Sequence, residues 1–479
     1  MTHDLFSGYD RQGFYCELFG ASDRQPAHTR KLVNRLARMK LSTLLRRAKA
    51  TEAELFNLGI TFTVYTERDS IDRILPFDLV PRVLSRKEWD HIEAGCIQRV
   101  TALNLFLHDV YHDQKILRDK VVPTDLVLGN SNYRPEMQGF SPPNGTYVHI
   151  AGVDLVRDDA GAFCVLEDNA RTPSGVSYVV ENRHLMQRAF PDLMAGIDLL
   201  PVSDYGPRLR STLDAVSPGR SRTPNVVLLS PGVFNSAYFE HVFLAREMGA
   251  PLVEGRDLLV QDEQVFMRTT AGLSKVDMIY RRVDDAFLDP RCFNPDSMLG
   301  VPDLMKAYLA GNVNIANAVG TGVADDKAVY AYMPDIIRYY LSEEPILPNV
   351  QTHSCRDPKM LDYTLAHLEE LVVKPVGESG GYGVVVGPRA SKAELQTLRK
   401  QLQAKPGNFI SQPLIQLSVC PTLFASGVEP RHVDLRPYVL TGKSSWVLPG
   451  GLTRVALKKG SFVVNSSQGG GTKDTWVIG

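Results

Sequence analysis

The chain has 479 residues, enough for about three domains at roughly 100–200 residues each. Its composition, 44% apolar and 22% charged, is that of a globular protein and excludes a disordered, collagenous or coiled-coil chain. Lys and Arg (53) balance Asp and Glu (54), so bulk charge gives no case for nucleic-acid or membrane binding.

The N-terminal sequence lacks a basic segment followed by an apolar stretch, so no secretory signal is expected. No apolar run approaches the ~18 residues that span a bilayer. Residues 24–49 carry nine Lys or Arg and no acid, with Leu32, Leu36, Met39, Leu44 and Leu45 at helical spacing. This reads either as a basic helix for an anionic partner or as the solvated face of an ordinary helix. Thr51 with Glu54 and Ser85 with Glu88 have the form of capping boxes that open helices. After the second, Trp89, Ile92, Cys96, Val100, Leu103, Leu107 and Val110 step by three or four residues. Residues 1–120 therefore read as a mainly helical region. His108 and His112 stand one helical turn apart, a spacing that can chelate a metal, but no third ligand suggests itself.

The pattern changes near residue 121. β-rich runs at 147–156 and 162–167 precede a helix over 176–190, and 121–205 forms a second unit. The strand in RTPNVVLLSPG (222–232), the helix in FEHVFLAREMGA ending at Gly249, and the strand in PLVEGRDLLV make a βαβ unit within 206–320. Arg281, Arg282 and Asp284 follow the run VDMIY, at a strand's carboxyl end where α/β proteins bind ligands. They read as an anion site or as a structural ion pair. Residues 321–479 open with helices at 327–341. LVVKPVGESGGYGVVVG (371–387) then reads strand, glycine loop, strand. Ser391 with Glu394 caps a helix to about residue 403, and strands fit 408–417, 434–440, 445–449, 452–457 and 462–465. The six cysteines form no C-x-x-C pair. That excludes zinc ribbons and thioredoxin-type sites and fits a reducing cytoplasm.

Two stretches carry chemistry. Between β-branched runs, Gly377, Gly380, Gly381 and Gly383 let backbone N–H groups approach an anion without a Cβ in the way. Lys374, on the strand leading in, could place a charge on a phosphate. A plain hairpin turn has the same composition. No G-K-[ST] opens a helix here, so this is not a Walker A motif, and a strand rather than a helix follows, so it is not a Rossmann fingerprint. In the second stretch, GVDLVRDDAGAFCVLEDNARTPSG (152–175), Glu167 and Asn169 lie two apart on a strand and share a face, while Asp168 points the other way. DDAG has turn composition. If Arg157 pairs with Ala162, Asp154 joins that face, diagonal to Glu167. A one-residue slip would remove it. Three oxygen ligands without His or Cys suit Mg²⁺. The rival readings are a polar strand edge satisfied by Arg171 and, with less support, a glycosidase carboxylate pair. Asp434 and Arg436 also lie two apart on one strand face, as metal or phosphate partners or as each other's. Lys327, after Asp325 and Asp326, is unremarkable alone.

Together these pieces resemble the circularly permuted type 2 ATP-grasp family. The resemblance rests on VVKP and its glycines (372–383), FISQPLI (409–415), VLEDNARTPSG, YRRVDD (280–285), VADDKAVYAYMPDIIRYYL (323–341) and LRPYVL…GGLTRVAL (435–457). The acidic strand precedes Lys374 by about 200 residues, the reverse of the usual order. The resemblance implies an α/β (α+β) ATP-grasp fold in permuted order. It would have a Rossmann-like pre-ATP-grasp domain and the helical N-terminal region. ATP and Mg²⁺ would be its cofactors. Lys327 and Lys374 would hold phosphates, with Glu378, Ser379, Gly380, Gly381, Tyr382 and Gly383 as the loop above them. Gln412, Pro413, Leu414 and Ile415 would contact adenine. Asp154, Glu167 and Asn169 would bind Mg²⁺. Arg171, Arg282 and Arg436 would neutralise the substrate carboxylate or the moving phosphoryl group. The implied reaction joins a small-molecule or peptide carboxylate to an amine. Its rivals are a phosphotransferase and a non-catalytic nucleotide-binding scaffold. Neither nucleic acid nor membrane insertion is implied, and the N-terminal helices are the place for a protein partner.

Overall fold

Ser85 ends one buried strand, Phe77–Ser85, and opens the helix Arg86–Val110. Its hydroxyl accepts from the Glu88 N–H, and Glu88 Oε2 accepts from the Ser85 N–H at 2.8 Å. Both groups of the capping box are thus satisfied, as the sequence predicts. The computed structural model describes residues 5–21, 25–65, 70–219, 223–377, 383–462, 464 and 469–479.

The strand Phe77–Ser85 lies inside the stretch expected to be helical. Its seven central residues are all buried, so it shows no alternation to read. It also carries Pro81, which weakens a strand reading. The ladder tolerates that proline because the pairing shifts register beside it, between Lys473 and Thr475. Thr51 differs too. It sits inside the helix Leu41–Asn57, buried, with its hydroxyl donating to the Arg47 carbonyl, and caps nothing.

A nine-stranded mixed sheet organises the molecule. Its main path runs Ser445–Val447, Tyr438–Thr441, Ile150–Arg157, Gly427–Arg436, Leu452–Val455, Gly471–Ile478 and Phe77–Ser85. Phe163–Asn169 pairs with Ile150–Arg157, and Val419–Phe424 pairs with Gly427–Arg436. The final pairing, Gly471–Ile478 on Phe77–Ser85, is parallel. Of the strand expected at 462–465, residues 463 and 465 lie outside the described residues and Phe462 and Val464 are not in a strand; the next described strand is Gly471–Ile478.

On one face of this sheet Trp89, Ile92, Val100 and Phe106 pack over Val153, Leu155, Val439 and Val477. On the other, Val176, Tyr178 and Val179 pack over Ile150, Tyr438 and Leu452. The helix Val176–Ala189 supplies that second layer.

A four-stranded, wholly parallel sheet follows, ordered Asn314–Ala316, Met278–Arg281, Val226–Leu229 and Leu252–Val253. Val226–Leu229 is buried throughout, as a strand covered on both faces must be. The helix Tyr238–Met248 ends at Gly249 with φ 62°, the expected C-terminal glycine. This is the predicted βαβ unit. A four-stranded antiparallel sheet, His353–Ser354, Phe409–Pro413, Leu371–Pro375 and Val385–Val386, carries the lysine and glycine segment. Lys392–Ala404 covers it through Leu398 and Leu402, and Ser391 with Glu394 forms the predicted capping box. No helix among the described residues is long and apolar enough to cross a membrane.

Candidate active site

The acidic hairpin is built with a bulge. Arg157 pairs with Phe163 and Leu155 with Val165, but Asp154 pairs with Glu167, so Leu166 is an extra residue. The predicted pairing was off by one at the turn. The bulge adds one more, and the two shifts together restore the parity that keeps Asp154 and Glu167 on one face.

Asp154 is nevertheless not a free metal ligand. It is buried, Oδ1 accepts from Arg436 Nε, and Oδ2 accepts from Arg436 Nη2 at 2.8 Å and Arg454 Nη2 at 2.7 Å. Burial alone would raise its pKa, but the two guanidinium groups win and hold it below the usual carboxylate range. This corrects the expectation that Asp154 binds Mg²⁺. Asp434 is likewise the partner of Arg454, at 2.5 Å, and not of Arg436. Asp168 faces the other way, as predicted, in a bidentate pair with Arg99 at 2.6 and 2.8 Å.

Glu167 differs. Its Oε2 lies 3.6 Å from Lys327 Nζ. Burial, with the charge of Asp154 beside it, raises its pKa, opposed by Lys327 and Lys374. Lys374, half-buried on Leu371–Pro375, is pulled down to about 8 by burial, with Glu167 opposing and Lys327 reinforcing. Asn169 donates to the Gly152 carbonyl at 3.2 Å and to Asp154 Oδ1 at 3.3 Å, so its own carbonyl oxygen remains as an acceptor. Lys327 begins the short helix Lys327–Tyr330, capped by Asp326, whose Oδ1 accepts from the Ala328 N–H at 2.7 Å.

Glu167, Asn169 and Lys327 line one cavity of about 420 Å³ together with Arg171, Gly377 and Arg436, among others, whereas Asp154 and Lys374 are not among its described lining residues. Arg171 is fixed by Asp325 Oδ2 at 2.7 Å and Asp284 Oδ2 at 3.4 Å. Arg436 adds a bond to the Ser174 carbonyl at 3.2 Å.

Arg282 lies behind the wall, not in it. It is buried and bonds the Pro173 carbonyl at 2.8 Å, the Tyr280 hydroxyl at 3.0 Å and Glu240 Oε1 at 3.1 Å. It therefore holds the 173–175 loop, which corrects its expected role against substrate. Arg281, fully buried, pairs with Asp285 at 2.7 Å. Gln412 donates to Thr352 Oγ1 at 2.8 Å, and Gln412, Pro413, Leu414 and Ile415 are not among the described residues lining this cavity. Glu378, Ser379, Gly380, Gly381 and Tyr382 lie outside the described residues; Gly383 follows with φ 70°. His112 Nδ1–H donates to the His108 carbonyl at 2.8 Å and its Nε2 shares a hydrogen bond with the Ser141 hydroxyl at 3.0 Å, and no cluster of three His, Cys, Asp or Glu suited to a metal occurs among the described residues.

Two participants carried no readable signal. Arg454 lines the cavity through its strand Leu452–Val455, and Glu240 lines it from the βαβ helix. Both are single charged residues in apolar runs, and only their buried acid or cation partners reveal them.

The model of the family described as circularly permuted ATP-grasp type 2 matches residues 81–456. The chain belongs to that family. A Synechocystis protein with no assigned character is 50% identical over 98% of both chains. One from Mycobacterium tuberculosis is 49% identical over 99% of this chain and 86% of its own length. A Frankia alni protein provisionally named a glutamate–cysteine ligase is 43% identical over 94% of this chain. The chain spans only 52% of that relative's length. A glutathione synthetase-like effector of Globodera pallida, solved in its apo form, shares the fold. Its TM-score is 0.56 at 11% identity, covering 92% of this chain and 98% of that one. In this ATP-grasp chain the acidic strand comes before the lysine and glycine segment, the permuted order its sequence predicts.

Proposed function

We propose that this ATP-grasp protein is an ATP- and Mg²⁺-dependent ligase that joins a carboxylate to an amine. The observation that carries the reading is the meeting of Lys327 and Glu167, 3.6 Å apart, on a cavity that Gly377 also lines. Residues about 160 and 210 positions apart along the chain converge there on what a triphosphate needs. The name of the Frankia relative supports ligase over other chemistry.

Glu167 and Asn169 offer one carboxylate and one amide oxygen, hard ligands without His or thiolate. That set fits Mg²⁺, which keeps water and takes phosphate oxygens besides one or two protein groups. Bound Mg²⁺ supplies charge neutralisation at the phosphates. Lys327 and Lys374 neutralise the phosphoryl group as it passes to the substrate carboxylate, giving an acyl phosphate that the amine opens with loss of phosphate. Arg171, held by Asp325 and Asp284, orients the carboxylate, and Arg436 holds the loop through Ser174. Such transfer asks for positioning and electrostatics more than a protein nucleophile. By this reading residues 121–205 and 321–479 form the ATP-grasp part, 206–320 the pre-ATP-grasp domain and 1–120 an N-terminal region that also lends a strand to the large sheet.

The test is incubation with MgATP, pooled carboxylic acids and hydroxylamine. Wild-type protein is expected to form a hydroxamate, and Glu167→Ala to form none while keeping its fold. A stable phosphorylated product without hydroxamate would mark a phosphotransferase instead, and ATP left unconsumed with every acid would contradict both.

A further inference from the structure

The loop after the short helix Thr124–Leu128 is pinned at several points. Asn130 Nδ2 donates to Asp326 Oδ2 at 2.8 Å, and Asn130 Oδ1 accepts from the Asn132 N–H at 2.9 Å. The Asn130 carbonyl accepts from the Tyr133 N–H at 2.9 Å. Tyr133 stacks on Tyr111 with ring centroids 5.0 Å apart. The Tyr111 hydroxyl accepts from the Arg134 N–H at 3.2 Å and donates to the Gly320 carbonyl at 3.0 Å. The Asn132 backbone is therefore fixed against residues 320–326. Its side-chain amide, by contrast, has no hydrogen-bond partner among the described residues, although it is half-buried and lines the cavity.

Asn132 stands beside Arg171. Both pack over Gly322, where a Cβ would lie 2.9 Å from Asn132 Cγ and 3.0 Å from Arg171 Cδ, so their close approach needs a glycine beneath them. Arg171 spends Nε on Asp325 and Nη1 on Asp284. Its Nη2 has no partner among the described residues and is the donor left for a ligand. The two acids also offset the guanidinium charge. An anion here is held less by net charge than by directed hydrogen bonds, and a guanidinium with one nitrogen open lacks the paired donors that grip both oxygens of a carboxylate. The amide nitrogen of Asn132 supplies a second donor without adding charge. Asp284, Asp325 and Asp326 all line the same cavity, and so many acids oppose a multiply charged phosphate more than a single carboxylate. A neutral donor also suits the chemistry. Phosphoryl transfer removes the carboxylate's charge, so a site that gripped that charge harder than the transition state would slow the step.

We propose that Asn132 is a substrate-contact residue: its amide nitrogen takes one oxygen of the substrate carboxylate while Arg171 Nη2 takes the other. This inference rests on the ligase reading. It explains why a loop is held so firmly around a side chain that bonds nothing in the protein.

The experiment follows binding of a pool of acetate, succinate, L-glutamate and benzoate to the full chain by saturation-transfer NMR, beside hydroxamate formation from the same acids with MgATP and hydroxylamine. An acid that binds the wild type should bind Asn132→Ala at least about tenfold more weakly, the loss expected for one hydrogen bond to a charged group. The KM for that acid should rise while MgATP affinity and the thermal midpoint stay unchanged, because the amide bonds no protein group. Asn132→Asp, which sets one carboxylate against another, should lose acid binding further. Ser131→Ala, exposed on the same loop, should change nothing. Equal acid binding by the wild type and Asn132→Ala would overturn the proposal. So would a lower thermal midpoint in Asn132→Ala, the mark of a structural role, or a fall in MgATP affinity with acid binding unaltered, the mark of a phosphate contact. Acid binding that depends on Asn132, with no hydroxamate formed from any acid, would leave the contact standing and fail the ligase reading alone. No binding of any acid to the wild type would overturn both.

Discussion

Asp154 and Glu167 stand opposite one another on one hairpin, yet their neighbours give them different chemistry. Asp154 is clamped by two guanidinium groups, and Glu167 has Lys327 at 3.6 Å with the charge of Lys374 also lowering its pKa. Removing the charge of Asp154 leaves Arg436 and Arg454 short of a counter-ion in a buried setting, so Asp154→Asn should destabilise the protein by roughly 3–5 kcal/mol, read from its denaturant midpoint. An unchanged midpoint would contradict the clamp. The alternation of one strand was enough to pair Glu167 with Asn169. The guanidinium clamp was not legible, because Arg436 and Arg454 arrive from strands nearly 300 residues further along the chain. Lys374 carries a pH signature. With its pKa lowered to about 8 by burial, it is charged below that pH and largely neutral above it. A phosphate favours the charged form, so binding above pH 8 must take up a proton. MgATP affinity should be flat below that point and weaken above it, by up to about tenfold per pH unit. Lys374→Arg, charged throughout, should flatten the profile in calorimetric titrations. A slope of the opposite sign would sink this assignment.

At the scale of elements, the loop 172–177 is the piece most dependent on others. Glu240 Oε2 accepts from the N–H of Gly175 at 2.7 Å, the N–H of Ser177 at 3.1 Å and the Ser177 hydroxyl at 3.0 Å, while Oε1 takes Arg282. A buried carboxylate from the βαβ helix thus caps the helix Val176–Ala189, whose own cap residue, Gly175, has no side chain to do so. Gly175 must be glycine, since its φ is 110° and a Cβ would lie 2.7 Å from the Tyr438 hydroxyl. Glu240→Gln should raise the KM for the acid or amine while leaving MgATP affinity intact, because Lys327 and Lys374 stand on other elements. Steady-state kinetics beside calorimetry separate the two, and a parallel fall in nucleotide binding would contradict this division. The caps at Ser85 and Ser391, the βαβ unit and the two strands flanking the glycine segment were legible because each is a local pattern, whereas the same pattern at Thr51 fell inside a helix. The strand Phe77–Ser85 was not, since it is buried on both faces and broken by a proline. Arg282 misled for a related reason. A strand's carboxyl end predicts nearness to ligand, but not which side of the cavity wall a side chain occupies.

Across the whole molecule, the permuted order brings distant parts of the chain onto one sheet. The C-terminal strand Gly471–Ile478 lies parallel beside Phe77–Ser85, so the first and last parts of the chain share one sheet. A site assembled from separate segments needs them near in space, not in sequence, and chain order was therefore legible only through resemblance, never through periodicity. The central claim is that Glu167, Lys327 and Lys374 serve one magnesium-bound nucleotide. Its most direct measurement is calorimetric titration of ATP, with and without Mg²⁺, into wild-type protein, Lys327→Ala and Glu167→Ala. The account predicts Mg²⁺-dependent binding in the wild type, at least about tenfold weakening in Lys327→Ala, and in Glu167→Ala a loss of the Mg²⁺ dependence. Binding that is unaltered in both variants would contradict it.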